Sequence, residues 1–422
     1  MENEAVGAKP LSLGGGKGAA GAGRGGGGGG GGDDLESPVR SIPAVDPLSC
    51  ITSLLASVLS SRTQVSALPS SFCATLLDAA VDDSGEEFHR GIEEGVPGHP
   101  LYAHLATALY QWIHSGEFPR SLPPMPGIHE DDSWKAHMGE WSAIVTSFGS
   151  EMIQLWSKVT MQLHVQEPYA SLLKDGSKTV EGRCATDGYR SLVSGDIILV
   201  NEEFLLQVEG TDWYPTFHDM LETEGLAKAL PGVESMTEGV KVYRQFYTVQ
   251  KEQARGVLGI HVSRPKGVKE PPELLSSILN SLGVEGVRAL LGMRSTVGTI
   301  KDSLPPPKSA LMSSFSMLNN PNVAGSHITV GARALAKHVP RSSKGWWGSF
   351  SGTESEKNEL AKSMLKRLMK HAIWMNIHLA PFPTFEIRVS DGYGARWVAD
   401  GSQFQGFLEP PMDDGYLKKW RH

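Results

Sequence analysis

Apolar residues recur at steps of three and four in the first third of the chain. Leu48, Ile51, Leu54, Leu55 and Val58 share one helix face, and Leu101, Leu105, Leu109 and Trp112 repeat the spacing. Pro69, Pro97, Pro100 and the group Pro119, Pro123, Pro124 and Pro126 separate the runs, because proline ends a helix. Asp131, Asp132 and Ser133 offer N-caps for a last helix that carries Trp134, Trp141, Ile144, Phe148, Ile153 and Trp156. Residues 33–160 therefore read as an α-helical domain, its Trp and Met stripe being core rather than a ligand box.

The period changes at about Met161. Short β-branched or aromatic runs follow at 161–165, 178–183, 196–200, 204–208, 240–246 and 257–262, bounded by Gly, Pro and Asp. Helical runs fall at 168–174 and 217–221. Six strands and two helices over residues 161–265 predict a small, partly closed β-barrel. Residues 266–308 predict two short helices, 273–282 and 284–291, and a linker ending in Pro305, Pro306 and Pro307. Residues 309–422 mix elements: a capping box at Thr353 and Glu356 opens a helix, and strands at 386–389 and 395–398 flank a hairpin turn. The fold class expected is α+β, with a helical N-terminal domain, a central barrel and a mixed α/β C-terminal domain.

Composition refines this picture. In 422 residues, 39 Lys and Arg face 47 Asp and Glu, a net charge of -8, which argues against a sequence-independent grip on duplex phosphates. The excess is local, however. Residues 33–160 hold 6 basic and 17 acidic residues and 161–265 hold 10 and 15, whereas 327–422 hold 14 and 9. Residues 1–32 contain a glycine run that cannot bury area to offset its ordering entropy, and they read as a disordered tail. Its one Arg-Gly-Gly, at Arg24, is too isolated for an RNA-associating repeat. Three cysteines at wide spacing, no secretory leader and no apolar run of about 18 residues point to a reducing interior, nucleus or cytoplasm, with no membrane partner.

The sharpest local pattern is Glu167-Pro168-Tyr169-Ala170-Ser171-Leu172-Leu173, followed by Gly176-Ser177-Lys178-Thr179-Val180-Glu181-Gly182-Arg183. On an extended segment Glu181 and Arg183 share a face, and Lys178 in the preceding turn can curl toward the same mouth. Such a trio offers donors and an acceptor to a base edge or a phosphate; the same residues also read as an ion pair closing the sheet end.

This pattern resembles the ASCH domain (activating signal cointegrator homology), and the runs 195–200 and 256–262 resemble that family's downstream strands. The resemblance spans residues 161–264. It implies a PUA-like barrel that binds RNA or another nucleic acid; Lys178, Glu181 and Arg183 are the residues expected at its mouth, and Tyr169, Tyr189, Trp213 and Tyr214, aromatics in or near its loops, are candidate stacking platforms. Some members of the family are amidohydrolases acting on N4-acetylcytidine. Their Lys would be Lys178, but Glu181 stands where they have Thr, and their Glu would be Glu222 or Glu224. Enzyme activity is therefore the alternative to binding, and no catalytic residue is assigned. A scaffold role, with the acidic helical domain docking a protein partner, is a further alternative.

The basic C-terminal section offers a second possible surface for nucleic acid: Arg333, Arg341, Lys344, Trp346, Lys362, Lys366 and Lys370. A solvated Lys face over a buried Trp pair explains the same residues. Glu386, Arg388 and Arg396, with Arg333, read equally as a structural network. His327, His338, His371, His378 and His422 are too irregularly spaced for zinc, so neither a metal nor a cofactor is expected.

Overall fold

The structure, a computed structural model, describes residues 45–61, 65–79, 95–120, 123–342, 344–412, 417 and 419. The Gly-rich tail, Trp420 and His422 lie outside the described residues.

The helical section contains α1 (Pro47–Ser60), α2 (Ser70–Leu77), α3 (Leu101–Ser115) and α4 (Met138–Ser157). Asp46 caps α1, its side chain accepting from the Leu48 amide, and Gly116 ends α3 in the left-handed region. The expected start of the last helix at Ser133 is a short 3-10 turn, Ser133–His137, and α4 proper begins at Met138. Ile51, Leu54, Leu55, Val58, Leu101, Leu105, Leu109 and Trp112 are buried together, as their spacing predicts.

The central section contains β1 (Val159–Leu163), α5 (Tyr169–Lys174), β2 (Val180–Cys184), α6 (Asp187–Arg190), β3 (Ile197–Val200), β4 (Phe204–Tyr214), α7 (Phe217–Glu224), α8 (Leu226–Ala229), α9 (Met236–Arg244), α10 (Val249–Arg255) and β5 (Val257–Ser263). Its five strands run in the order β1-β3-β4-β5-β2; β1 and β3 are parallel and every other pair is antiparallel. The expected barrel is not closed, since β1 and β2 remain edges. The expected strand at 240–246 is instead mostly helix α9, which Ser235 caps through the Glu238 amide. Val240, Val242 and Tyr243 turn an apolar side to Leu221 and Leu230, so the apolar run expresses helix packing and not sheet pairing. β4 pairs with β3 over Phe204–Gln207 and with β5 from Gln207 to Tyr214, with a shift of register between Val208 and Gly210.

The segment 266–308 is more than a connection. Its main element, α11 (Pro271–Leu290), is broken at Gly283, where φ is 56°. Leu274, Leu275, Ile278, Leu279, Leu282, Val287 and Leu290 complete the core begun by α1, α3 and α4. Val159, Leu199 and Leu205 of the central sheet join the same core.

The C-terminal section contains α12 (Lys308–Ser316), α13 (Val330–His338), α14 (Glu354–Lys370), β6 (Trp374–Leu379), β7 (Pro383–Arg388), β8 (Gly394–Val398) and β9 (Phe404–Leu408). The capping box of Thr353 and Glu356 forms as expected. The strands make one antiparallel meander, β6-β7-β8-β9. Met375, Ile377, Phe385, Ile387, Ala395 and Trp397 share a core with Leu335, Leu365 and Leu368 of the helices.

Candidate nucleic-acid interface

The turn after α5 delivers Lys178 beneath the sheet, and β2 carries Glu181 and Arg183 beside it. Lys178 is 2% exposed. Its ammonium donates to the carbonyls of Val180, at 2.7 Å, and Ala229, and it lies 3.1 Å from Glu181 Oε2. An ammonium has three protons, so these three acceptors saturate it. Arg183 Nε stands 2.8 Å from Glu181 Oε1, while its Nη2 donates to the His164 carbonyl at 3.1 Å. Burial disfavours the Glu181 carboxylate, but Lys178 and Arg183 outweigh it and hold the group below the usual carboxylate range. Burial lowers the Lys178 ammonium against the pull of Glu181. With three acceptors around the nitrogen, we treat the two as an ion pair.

Over this trio lies a cavity of about 260 Å³. Tyr169, Tyr243, Phe246 and Tyr247 wall it, and Glu181, Arg183, Lys178 and Gln166 supply its polar side. Tyr243 is stacked on Phe217 with ring centroids 4.2 Å apart, and its hydroxyl is buried without a hydrogen-bond partner. Gly182 makes room for it: a Cβ there would lie 2.7 Å from that hydroxyl. Phe246 is 48% exposed at the rim.

The structure thus brings Lys178, Glu181, Arg183 and Tyr169 to one cavity. Tyr189 does not line it and packs beside the central core. Nor does Trp213, whose indole lies over Gly256 and donates to the Arg255 carbonyl at 3.3 Å. Glu222 is exposed, and Glu224 accepts from the Tyr214 hydroxyl at 2.6 Å and pairs with His261 at 3.0 Å; neither glutamate lines the cavity. His261 also lies 3.1 Å from Asp212, a cluster with ligand types suited to a cation. Tyr243, Phe246 and Tyr247 are not among the residues expected from the sequence, since 240–246 fits a strand as well as a helix. An i, i+4 aromatic pair, Tyr243 and Tyr247, was the available signal.

In the C-terminal section the expected basic surface disperses. Arg333, Lys344, Lys366 and Lys370 are exposed and Lys362 is half-buried. Arg341 pairs with Glu409 at 3.4 Å. Tyr393 stacks on Trp346 with ring centroids 4.1 Å apart, and the Arg367 guanidinium lies 4.8 Å from the same ring. The other face of the C-terminal sheet carries buried Trp374 beside a row of polar residues. Asn376, His378, Thr384, Glu386, Arg388 and Arg396 lie on it by strand alternation, and the register sets Glu386 between Asn376 and Arg396. His378 Nε2 is 3.4 Å, and Arg388 Nε 2.6 Å, from the Glu386 carboxylate.

A family model for the ASCH domain matches residues 163–266, and one for the CdiA C-terminal tRNase toxin domain matches residues 318–409. Among solved structures, the hypothetical protein PH0355 is 41% identical over 24% of this chain and 96% of its own, with a TM-score of 0.24. Protein PF0455 from Pyrococcus furiosus is 36% identical over 25% of this chain and 97% of its own, with a TM-score of 0.23. No curated protein matches. The family match identifies residues 163–266 as an ASCH domain.

Proposed function

We propose that the protein binds RNA and takes an unpaired base into the cavity over Glu181 and Arg183. The observation that carries this reading is the cavity's make-up: aromatic walls, an ionised Glu181 between two cations, and the unpartnered Tyr243 hydroxyl. Unpaired bases are held by stacking on aromatic rings and by hydrogen bonds to their edges. The acidic surround of residues 161–265 favours a single focused contact over tracking of the backbone. Lys178 then acts as a positioning residue, since its protons are already taken.

Fluorescence anisotropy with labelled single-stranded RNA tests this. Arg183→Ala and Phe246→Ala are expected to weaken binding about tenfold or more, in line with roughly 1–3 kcal/mol for one stacked base. Equal affinity of both variants and the parent chain would end the reading. The amidohydrolase alternative has little to support it, because Glu181 is the one carboxylate among the cavity's lining residues. Nothing in the geometry favours the scaffold role.

A second reading, that the C-terminal section cleaves RNA, is favoured by the match of residues 318–409 to a tRNase toxin domain. Incubation of the full chain with tRNA and resolution of the products on a denaturing gel tests it, with discrete fragments expected.

A further inference from the structure

This inference rests on the ribonuclease reading and deepens it. We propose that the scissile phosphodiester docks on Arg396, over the Glu386–His378 pair, on the polar face of the β6-β7-β8-β9 sheet.

One face of that sheet is packed against helices, and a second face in a section of this size would ordinarily be a solvated mixture or another apolar layer. Here it carries a graded set of charged groups. Glu386 is 7% exposed, His378 is half-buried and Arg396 is exposed, so the chemistry-bearing pair opens to solvent toward Arg396. Arg396 stands directly opposite Glu386 in the ladder, and among the described residues it has no ion-pair or hydrogen-bond partner. Glu386 by contrast is fixed from two sides. Arg388 holds it at 2.6 Å while its own Nη1 donates to the carbonyls of Gly392, at 2.6 Å, and Glu409, at 2.9 Å. Arg388 is thus a positioning residue, and Arg396 is the guanidinium left for a phosphate.

His378 Nε2 is buried 3.4 Å from Glu386 Oε2, within reach for the carboxylate to orient the ring and exchange a proton with it. Phe382, at the turn two residues before Thr384, is 47% exposed at the end of the same row and offers a ring for the adjoining base.

The chemistry balances without a co-reactant. The ribose 2′-oxygen attacks the adjacent phosphorus as its proton passes to the Glu386 carboxylate. The bond from phosphorus to the 5′-oxygen breaks, and the leaving oxygen takes its proton from protonated His378. The fragments end in a 2′,3′-cyclic phosphate and a free 5′-hydroxyl. Return of the proton from Glu386 to His378, across 3.4 Å, restores both groups.

The test uses the full chain on tRNA, with initial rates and end-group analysis by mass spectrometry. Glu386→Gln and His378→Ala are expected to lose about 100-fold or more of the rate, the usual range for a proton-transfer group. Arg396→Ala should raise KM more than it lowers kcat, and Lys337→Ala, at an exposed position of α13, should match the parent chain. Because Arg396 is exposed, its variant folds even where a buried substitution does not, and circular dichroism checks all of them. Cleavage by the parent chain with unchanged rates in Glu386→Gln, His378→Ala and Arg396→Ala would place the site elsewhere, and so would 5′-phosphate ends. No cleavage by the parent chain would remove the ribonuclease reading itself, and this site with it.

Discussion

Glu181 carries two cations on one buried carboxylate, with Lys178 at 3.1 Å and Arg183 at 2.8 Å. Removing one member of such a group leaves a charge without its partner in a low-dielectric site, which costs about 3–5 kcal/mol. Glu181→Gln should therefore lower the denaturation midpoint markedly, and thermal unfolding at neutral pH measures it. The pH dependence follows from the same contacts. In the folded chain the carboxyl sits below the ordinary value of about 4.5, so its contribution is complete above that value and is lost as pH falls through the folded value. Acid titration of stability should show a drop below about pH 4.5 that Glu181→Gln flattens. Cys50 behaves oppositely: burial, with Glu202 and Asp46, pushes its thiol up to about 12, so it stays protonated and unreactive toward alkylating agents.

Among the elements, α3 and α4 meet at Gly149, where a Cβ would lie 2.4 Å from Ile113 Cγ1. Gly149→Ala should destabilise by about 1–3 kcal/mol through overpacking, despite alanine's better helix propensity. In an Ile113→Ala background, which removes the three carbons that such a Cβ would meet, the same substitution should cost less in denaturant titrations. Element by element, the helices with a regular apolar stripe were legible: the apolar residues of α1 and α3 recur every three or four positions. So were β2, β3 and β5, whose turns are marked by glycine and aspartate. The strand expected at 240–246 was misread because Val240, Val242, Tyr243 and Phe246 fit two periods equally over so short a run. β6 and β9 escaped notice because asparagine, histidine and glycine interrupt them. At the site, Lys178, Glu181 and Arg183 could be named from one local motif. The aromatic wall could not, because tertiary packing brings α9 over β2. His378 and Glu386 belong to strands whose pairing no spacing in the chain announces.

On the scale of the molecule, the central sheet has a core of its own but shares part of its apolar surface with the helices. Val159, Leu199 and Leu205 pack with α1, α4 and α11, and Glu202 and Glu203 accept hydrogen bonds from Ser49, Ser53 and Ser57 of α1. A fragment of residues 159–266 should thus expose apolar surface that the full chain covers. Dye binding and sedimentation are expected to show it associating, whereas the full chain does not. The segment 293–300 has a comparable effect at the other sheet. It runs along β6, with the Arg294 amide donating to Met375, the Ile300 amide to Ile377 and the Leu379 amide to Gly298. An outer strand with free amides and carbonyls is a template for other chains. These eight residues occupy that template on one side, so the stretch that follows the longest helices also works as a guard against fibril growth, by filling the rung that a misfolded neighbour would otherwise take.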